Sequence, residues 1–116
     1  MTIDSCLTLV DSLIPNQIGR AVKCRWLEEL DAQLRIELWD EAPSAQVEPT
    51  GTTDGSRRLT APYPYDRLYR SYLAAKIYGV QGDAVRYENS AAQFNAAYLH
   101  YAKYVIRTGE RGEPNA

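Results

Sequence analysis

The sequence predicts an all-α protein, a small helical bundle of about four helices with a long loop or short β-hairpin arm between the second and third. Three observations carry that prediction. Within residues 83–107, Tyr87, Ala91, Phe94, Tyr98, Tyr101, Ala102 and Val105 recur at three- and four-residue steps, so at roughly 100° per residue they gather on one helix face. The same spacing runs through Tyr65, Leu68, Tyr69, Tyr72, Leu73 and Ile77, and again through Leu27, Leu30, Leu34 and Leu38. The link between the last two helices, VQGD, is too short for anything but a helical hairpin.

The first helix is expected over residues 3–13, where Ile3, Leu7, Val10 and Leu13 fall at helical spacing before Pro15-Asn16 turns the chain. A second helix should begin near Ile18 and run to Trp39 or Asp40. Asp31 and Arg35 lie one turn apart beside its leucine stripe, where an exposed pair is worth a few tenths of a kcal/mol, and a solvated helix edge is the expected reading. Ile36 and Trp39 point away from the stripe, and Val22 and Trp26 lie on another flank. Either the following loop covers these side chains or they form a surface that meets another subunit.

Residues 41–64 hold four of the six prolines and two of the seven glycines, so no helix can cross them. Asp54-Gly55 is a hairpin turn signal, and Pro49 with its polar flanks allows only short or irregular strands. The segment reads as a protruding arm over 41–61, mobile in the free subunit, or as a plain loop. Pro64 should start the third helix and Gly79 end it. Asp83 stands where the N-cap of the fourth belongs, and Arg107 followed by Gly109 makes a basic last turn and a stop. Arg86, Asn89, Gln93, His100 and Lys103 fall on its polar side. Residues 1–107 thus read as one domain and 108–116 as a flexible C-terminal tail.

Composition narrows the classes of function. A chain of 116 residues suits one domain with a single core, burying about 65% of its unfolded surface. The formal net charge of -2 argues against a partner that must be held by phosphate neutralisation, so no specific nucleic acid is expected. Arg57-Arg58 is the only adjacent basic pair and reads as a solvated loop. No apolar run reaches the length of a membrane span and no basic region precedes one, which points to a protein neither exported nor anchored. Cys6 and Cys24 have no cysteine or histidine cluster beside them and read as free packing residues. Nine tyrosines against one phenylalanine suit half-buried positions that need a ring with a polar tip.

No catalytic scheme emerges, and neither a metal nor a cofactor nor a small-molecule substrate is expected. Glu28 with Asp31 and Glu37 with Asp40 have the carboxylate spacing of all-α magnesium-dependent nucleotide hydrolases, but the two pairs project from opposite sides of their helix and cannot share one ion. His100 sits on a polar face without a neighbouring carboxylate or cysteine at helical spacing, as a solvated histidine would.

The chain also carries a series of packing and turn residues that do not amount to a catalytic signature. These are Pro15-Asn16 with Lys23, Trp26-Leu27 and Leu30-Asp31, then Pro62-Tyr63-Pro64-Tyr65-Asp66 with Tyr69, then Tyr87 with Phe94-Asn95 and Tyr98. In these it resembles the head-tail connector, or adaptor, proteins of long-tailed phages and prophages, over most of residues 3–107. The resemblance implies a non-enzymatic virion protein made in the bacterial host cytoplasm. It would self-associate into a ring and contact portal and tail proteins. Ile36 and Trp39, with Arg57 and Arg58 of the arm, are the expected interface residues. The alternative is a small helical regulatory or protein-binding module that holds a peptide in a tyrosine-lined groove.

Overall fold

The computed structural model describes residues 1–108. Four helices make up the body: α1 (Ile3–Leu13), α2 (Arg20–Trp39), α3 (Arg67–Gln81) and α4 (Ala84–Thr108). Between α2 and α3 the chain is irregular apart from one short helical turn at Pro43–Ala45. The expected bundle is what forms, and α3 and α4 make the most extensive pairing. The last helix includes Thr108, so the expected tail otherwise falls outside the described residues.

Each helix end follows from its local chemistry. Thr2 and Ser5 close a reciprocal capping box on α1, each side-chain oxygen accepting from the other's backbone N–H at 3.1 and 2.9 Å. Asn16 organises the α1–α2 link: its amide nitrogen donates to Asp11 and to the Ile14 carbonyl, while its oxygen accepts from the Ile18 N–H and Lys23 Nζ. The third helix starts at Arg67 rather than Pro64, because residues 62–66 first make a turn in which the Tyr65 and Asp66 N–H groups donate to the Pro62 carbonyl. It also passes through Gly79 and stops at Gly82, whose φ of 74° suits a left-handed C-cap. Asp83 caps α4 as expected, accepting from the Arg86 N–H at 3.1 Å.

The core is filled by the expected faces, except that Tyr87, in the first turn of α4, is 43% exposed. Leu27, Leu30, Leu34 and Leu38 of α2 are buried against Ile3, Leu7 and Val10 of α1, Leu68, Tyr69, Leu73 and Ile77 of α3, and Ala97, Tyr101 and Val105 of α4. Leu13 is instead 70% exposed, beyond the reach of that cluster. The tyrosine-rich faces of α3 and α4 meet directly, with Tyr65 stacked on Tyr104 at 4.6 Å and Tyr72 tilted against Phe94 at 5.2 Å. These ring contacts fill the space between the two faces at Tyr65–Tyr104 and Tyr72–Phe94.

The 41–61 segment does not protrude. It lies along the body as a strap, because α1 begins with backbone donors that no helical carbonyl can satisfy. The strap supplies the acceptors: Ile3 N donates to the Arg57 carbonyl at 3.1 Å and Asp4 N to the Gly55 carbonyl at 2.9 Å. Leu59 N returns a bond to the Met1 carbonyl at 2.9 Å, and a single antiparallel bridge pairs Thr2 with Arg58. Leu59 and Ala61 then enter the core. The hairpin signal at Asp54-Gly55 makes a turn without flanking strands: the Asp54 carbonyl accepts from the Arg57 N–H within the turn, and the Gly55 carbonyl pairs with a helix end instead of a partner strand.

Candidate functional site

The strap is clamped by polar side chains of α2, and the sequence reading missed this clamp. Asp31 is fully buried rather than on a solvated edge. Its Oδ1 accepts from the Thr60 N–H at 2.9 Å and the Tyr69 hydroxyl at 2.6 Å. Its Oδ2 accepts from Thr60 Oγ1 at 2.9 Å and Arg35 at 2.7 Å, with the Arg57 guanidinium 3.6 Å away. Burial, and then the Asp31 charge, push the Tyr69 phenol far above its ordinary range, which keeps it a donor to the carboxylate. One turn earlier, Glu28 accepts from Thr53 of the strap at 2.7 Å and from the Cys24 thiol at 3.2 Å.

Glu28 and Asp31, the pair with hydrolase-like spacing, are thus fixed as strap anchors. Glu37, of the other pair, takes bonds from Tyr98 and Gln33. Among the described residues, no group of three or more histidine, cysteine or acidic side chains is arranged to hold a metal ion. His100 is exposed, with its ring 5.0 Å from that of Tyr65 and its Nδ1 3.1 Å from Arg67.

The four expected interface residues part company. Trp39 is only 3% exposed, and its indole N–H donates to the Tyr101 hydroxyl at 3.0 Å, so it belongs to the core and not to a contact surface. Arg57 is drawn toward Asp31 and helps to seat the strap, whereas Arg58 is exposed. Ile36 lies at the surface where the strap crosses α2. It is half-buried in a shallow depression of about 490 Å³ formed where the strap crosses α2. Ala32, Pro43, Val47 and Pro49 supply the rest of its apolar wall, and Val47 is 87% exposed.

A second depression of about 490 Å³ lies between α1, α3 and α4, with Leu9, Leu13, Ile14 and Ala74 along it and Arg67 and Arg70 on its rim. No described helix is long and apolar enough to cross a membrane. The chemistry available at these surfaces is apolar contact framed by charge, and the two cysteines add nothing to it. Both are free and buried, and burial raises the Cys6 thiol to about 12; burial, then the bond to Glu28, raises Cys24 to about 11.

Val47 escaped sequence reading because an isolated valine between glutamine and glutamate in a proline-rich segment carries no periodicity. Its exposure becomes meaningful only once the strap sets it beside Ile36. No family model, no curated protein and no solved structure matches this chain.

Proposed function

We propose that this protein is a non-enzymatic assembly subunit, a head-tail connector of a long-tailed phage or prophage that joins a ring at the portal vertex. The observation that carries the reading is the apolar depression around Ile36 and Val47, where Gln46 ties the strap to α2 by accepting from Arg35 and donating to Glu41. A subunit that docks by contact needs a preformed surface more than a reactive group, and large side chains left uncovered beside a rigid frame mark such a surface. The resemblance in packing and turn residues supplies the type of assembly. A contact between this depression and a different face of the next copy would be heterologous, and it closes into a ring when the rotation per subunit is right.

Ring formation on a portal template does not require tight association in free solution, because each contact must first offset lost translational and rotational freedom. The test is therefore made in the particle. Deletion of the gene in its phage or prophage should give heads that fill with DNA and do not join tails. Val47→Glu, a change at an exposed position, should leave the purified protein's melting unchanged and reproduce the tailless heads. Normal infectious particles from the deletion would overturn the connector reading, and normal particles from Val47→Glu alone would move the contact away from this depression.

A further inference from the structure

α4 has a second apolar stripe that the core does not use. Val85, Ala92, Leu99 and Ile106 follow one another at seven-residue steps, all four exposed, with Val85 at 70%, Leu99 at 54% and Ile106 at 64%. Seven residues are nearly two turns, so the four side chains drift only about 20° per step and stay on one side of the helix, opposite the buried Tyr101 and Val105. Spacing of this kind, sustained over three intervals, is what a helix shows to another helix.

We propose that this outer face of α4 packs antiparallel against the same face of a second copy, making a two-fold symmetric dimer. The charges on the stripe decide both the partner and the direction. Glu88 and Lys103 lie on the same side of α4, both exposed and without an ion pair among the described residues. A two-fold axis passing between Asn95 and Ala96 sets Glu88 of each copy opposite Lys103 of the other, twice per dimer. The same axis sets Val85 against Ile106 and Ala92 against Leu99, a small side chain facing a large one. Parallel pairing would instead stack Glu88 on its own copy and Lys103 on its own copy, and would align the helix dipoles unfavourably. The face is self-complementary in one direction only, which is the property an isologous contact requires.

The inference goes beyond the connector reading and does not rest on it. A two-fold pair closes on itself, so it describes the free protein. In a cyclic ring the pairs would separate and expose this face to other neighbours.

Sedimentation equilibrium on the full chain should give a concentration-dependent dimer. Lys103→Glu or Glu88→Lys alone should weaken it by at least about tenfold, since each puts two like-charged contacts in place of two attractive ones. The double exchange, Glu88→Lys with Lys103→Glu, should restore the affinity to within a few-fold. Direction is read by cysteine cross-linking, because Cys6 and Cys24 are buried. Ala96→Cys, beside the axis, should oxidise to a covalent dimer. Val85→Cys should not, since its two copies would lie roughly 30 Å apart along the helix pair. A monomer at several hundred micromolar, equal weakening without rescue in the double exchange, or ready cross-linking at Val85→Cys would each overturn the proposal. These outcomes are separate from the fate of tailless heads, so either reading can fail alone.

Discussion

The indole nitrogen of Trp39 donates to the hydroxyl of Tyr101 at 3.0 Å, tying the end of α2 to the middle of α4 in the buried interior. Two further tyrosines reach α2 as donors, the Tyr69 hydroxyl to Asp31 and the Tyr98 hydroxyl to Glu37. The tyrosine-rich composition is explained by this arrangement: rings from α3 and α4 fill space, and their polar tips fasten α2. Tyr101→Phe keeps the ring and orphans the indole N–H, so it should cost about 1–3 kcal/mol. Trp39→Glu, which would put an unpaired carboxylate in the core, should abolish folding. Thermal melts of the two variants check this; a well-folded Trp39→Glu protein would put Trp39 at the surface.

Asp31→Ala should be among the most damaging single changes in the chain. It removes the acceptor for Thr60, Tyr69 and Arg35 at once and leaves buried donors with nothing to replace it. Breaking a buried charge pair from one side costs about 3–5 kcal/mol. The loss should also appear locally. In the wild-type protein trypsin should cut slowly between Arg57 and Arg58, because the Arg57 carbonyl accepts from Ile3 and the following Leu59 donates to Met1, and in Asp31→Ala this site should be cut early. Rapid cutting in the wild type would mean that the strap is not seated.

The helical faces were legible in the sequence because burial on one side of a helix writes itself as a period. Leu27, Leu30, Leu34 and Leu38 announce their own environment, and so do Tyr69 and Tyr101. The clamp was not legible, because Asp31 lies beside Arg35 at the spacing of an ordinary exposed pair and is enclosed by Thr60 and Tyr69, twenty-nine and thirty-eight residues away in sequence. Trp39 misled for a related reason. Its angle relative to the leucine stripe is real, but a helix packed against α4 on one flank and a strap on another buries a wider arc than one stripe. The outer stripe of α4 was hidden by its polar neighbours Arg86, Asn89, Gln93, His100 and Lys103, which suggested a wholly solvated side.

The two thiols should be inert in the folded protein. With Cys6 raised to about 12 and Cys24 to about 11, the reactive thiolate is about a thousandth or less of either group at pH 8. Alkylation should therefore be negligible under native conditions and complete in denaturant. Because the folded state holds these protons more tightly than the unfolded chain, stability should fall as pH rises above the ordinary thiol value of 9.0 toward 11. Cys24→Ser and Cys6→Ala together should flatten that alkaline decline.

Asp11 should shape the acid limb. Partial burial by itself would raise its carboxyl, but hydrogen bonds from Lys23 and Asn16 and the Lys23 charge outweigh it and hold the group below its ordinary 3.8. The folded state then releases this proton more readily than the unfolded one. The stabilisation is present above pH 3.8 and is lost as pH falls from there through the folded value. Asp11→Asn should flatten this part of the stability profile. At neutral pH, Asp11→Ala should destabilise more than Lys23→Met, because the first leaves the buried Lys23 ammonium with only Asn16 as a partner.

Gly51 tests how closely the strap is held, through two independent costs that a side chain would meet there. Its φ is 82°, in the left-handed region, where an L-residue costs about 1–2 kcal/mol. A Cβ added at this position would also stand 2.4 Å from the Ala21 carbonyl oxygen, which belongs to the backbone of the first turn of α2 and cannot rotate aside. Gly55 offers the control. A Cβ there would lie 2.0 Å from the Asp4 carboxylate, but that group is the end of an exposed side chain and can swing away, giving up only a surface pair with Arg20. Gly51→Ala should accordingly destabilise by at least about 2 kcal/mol and Gly55→Ala by roughly 1 or less, as read from chemical denaturation. The reverse order would mean that the strap approaches α1 more rigidly than α2, and that the seat of the strap is the helix end at Asp4 rather than the clamp on α2.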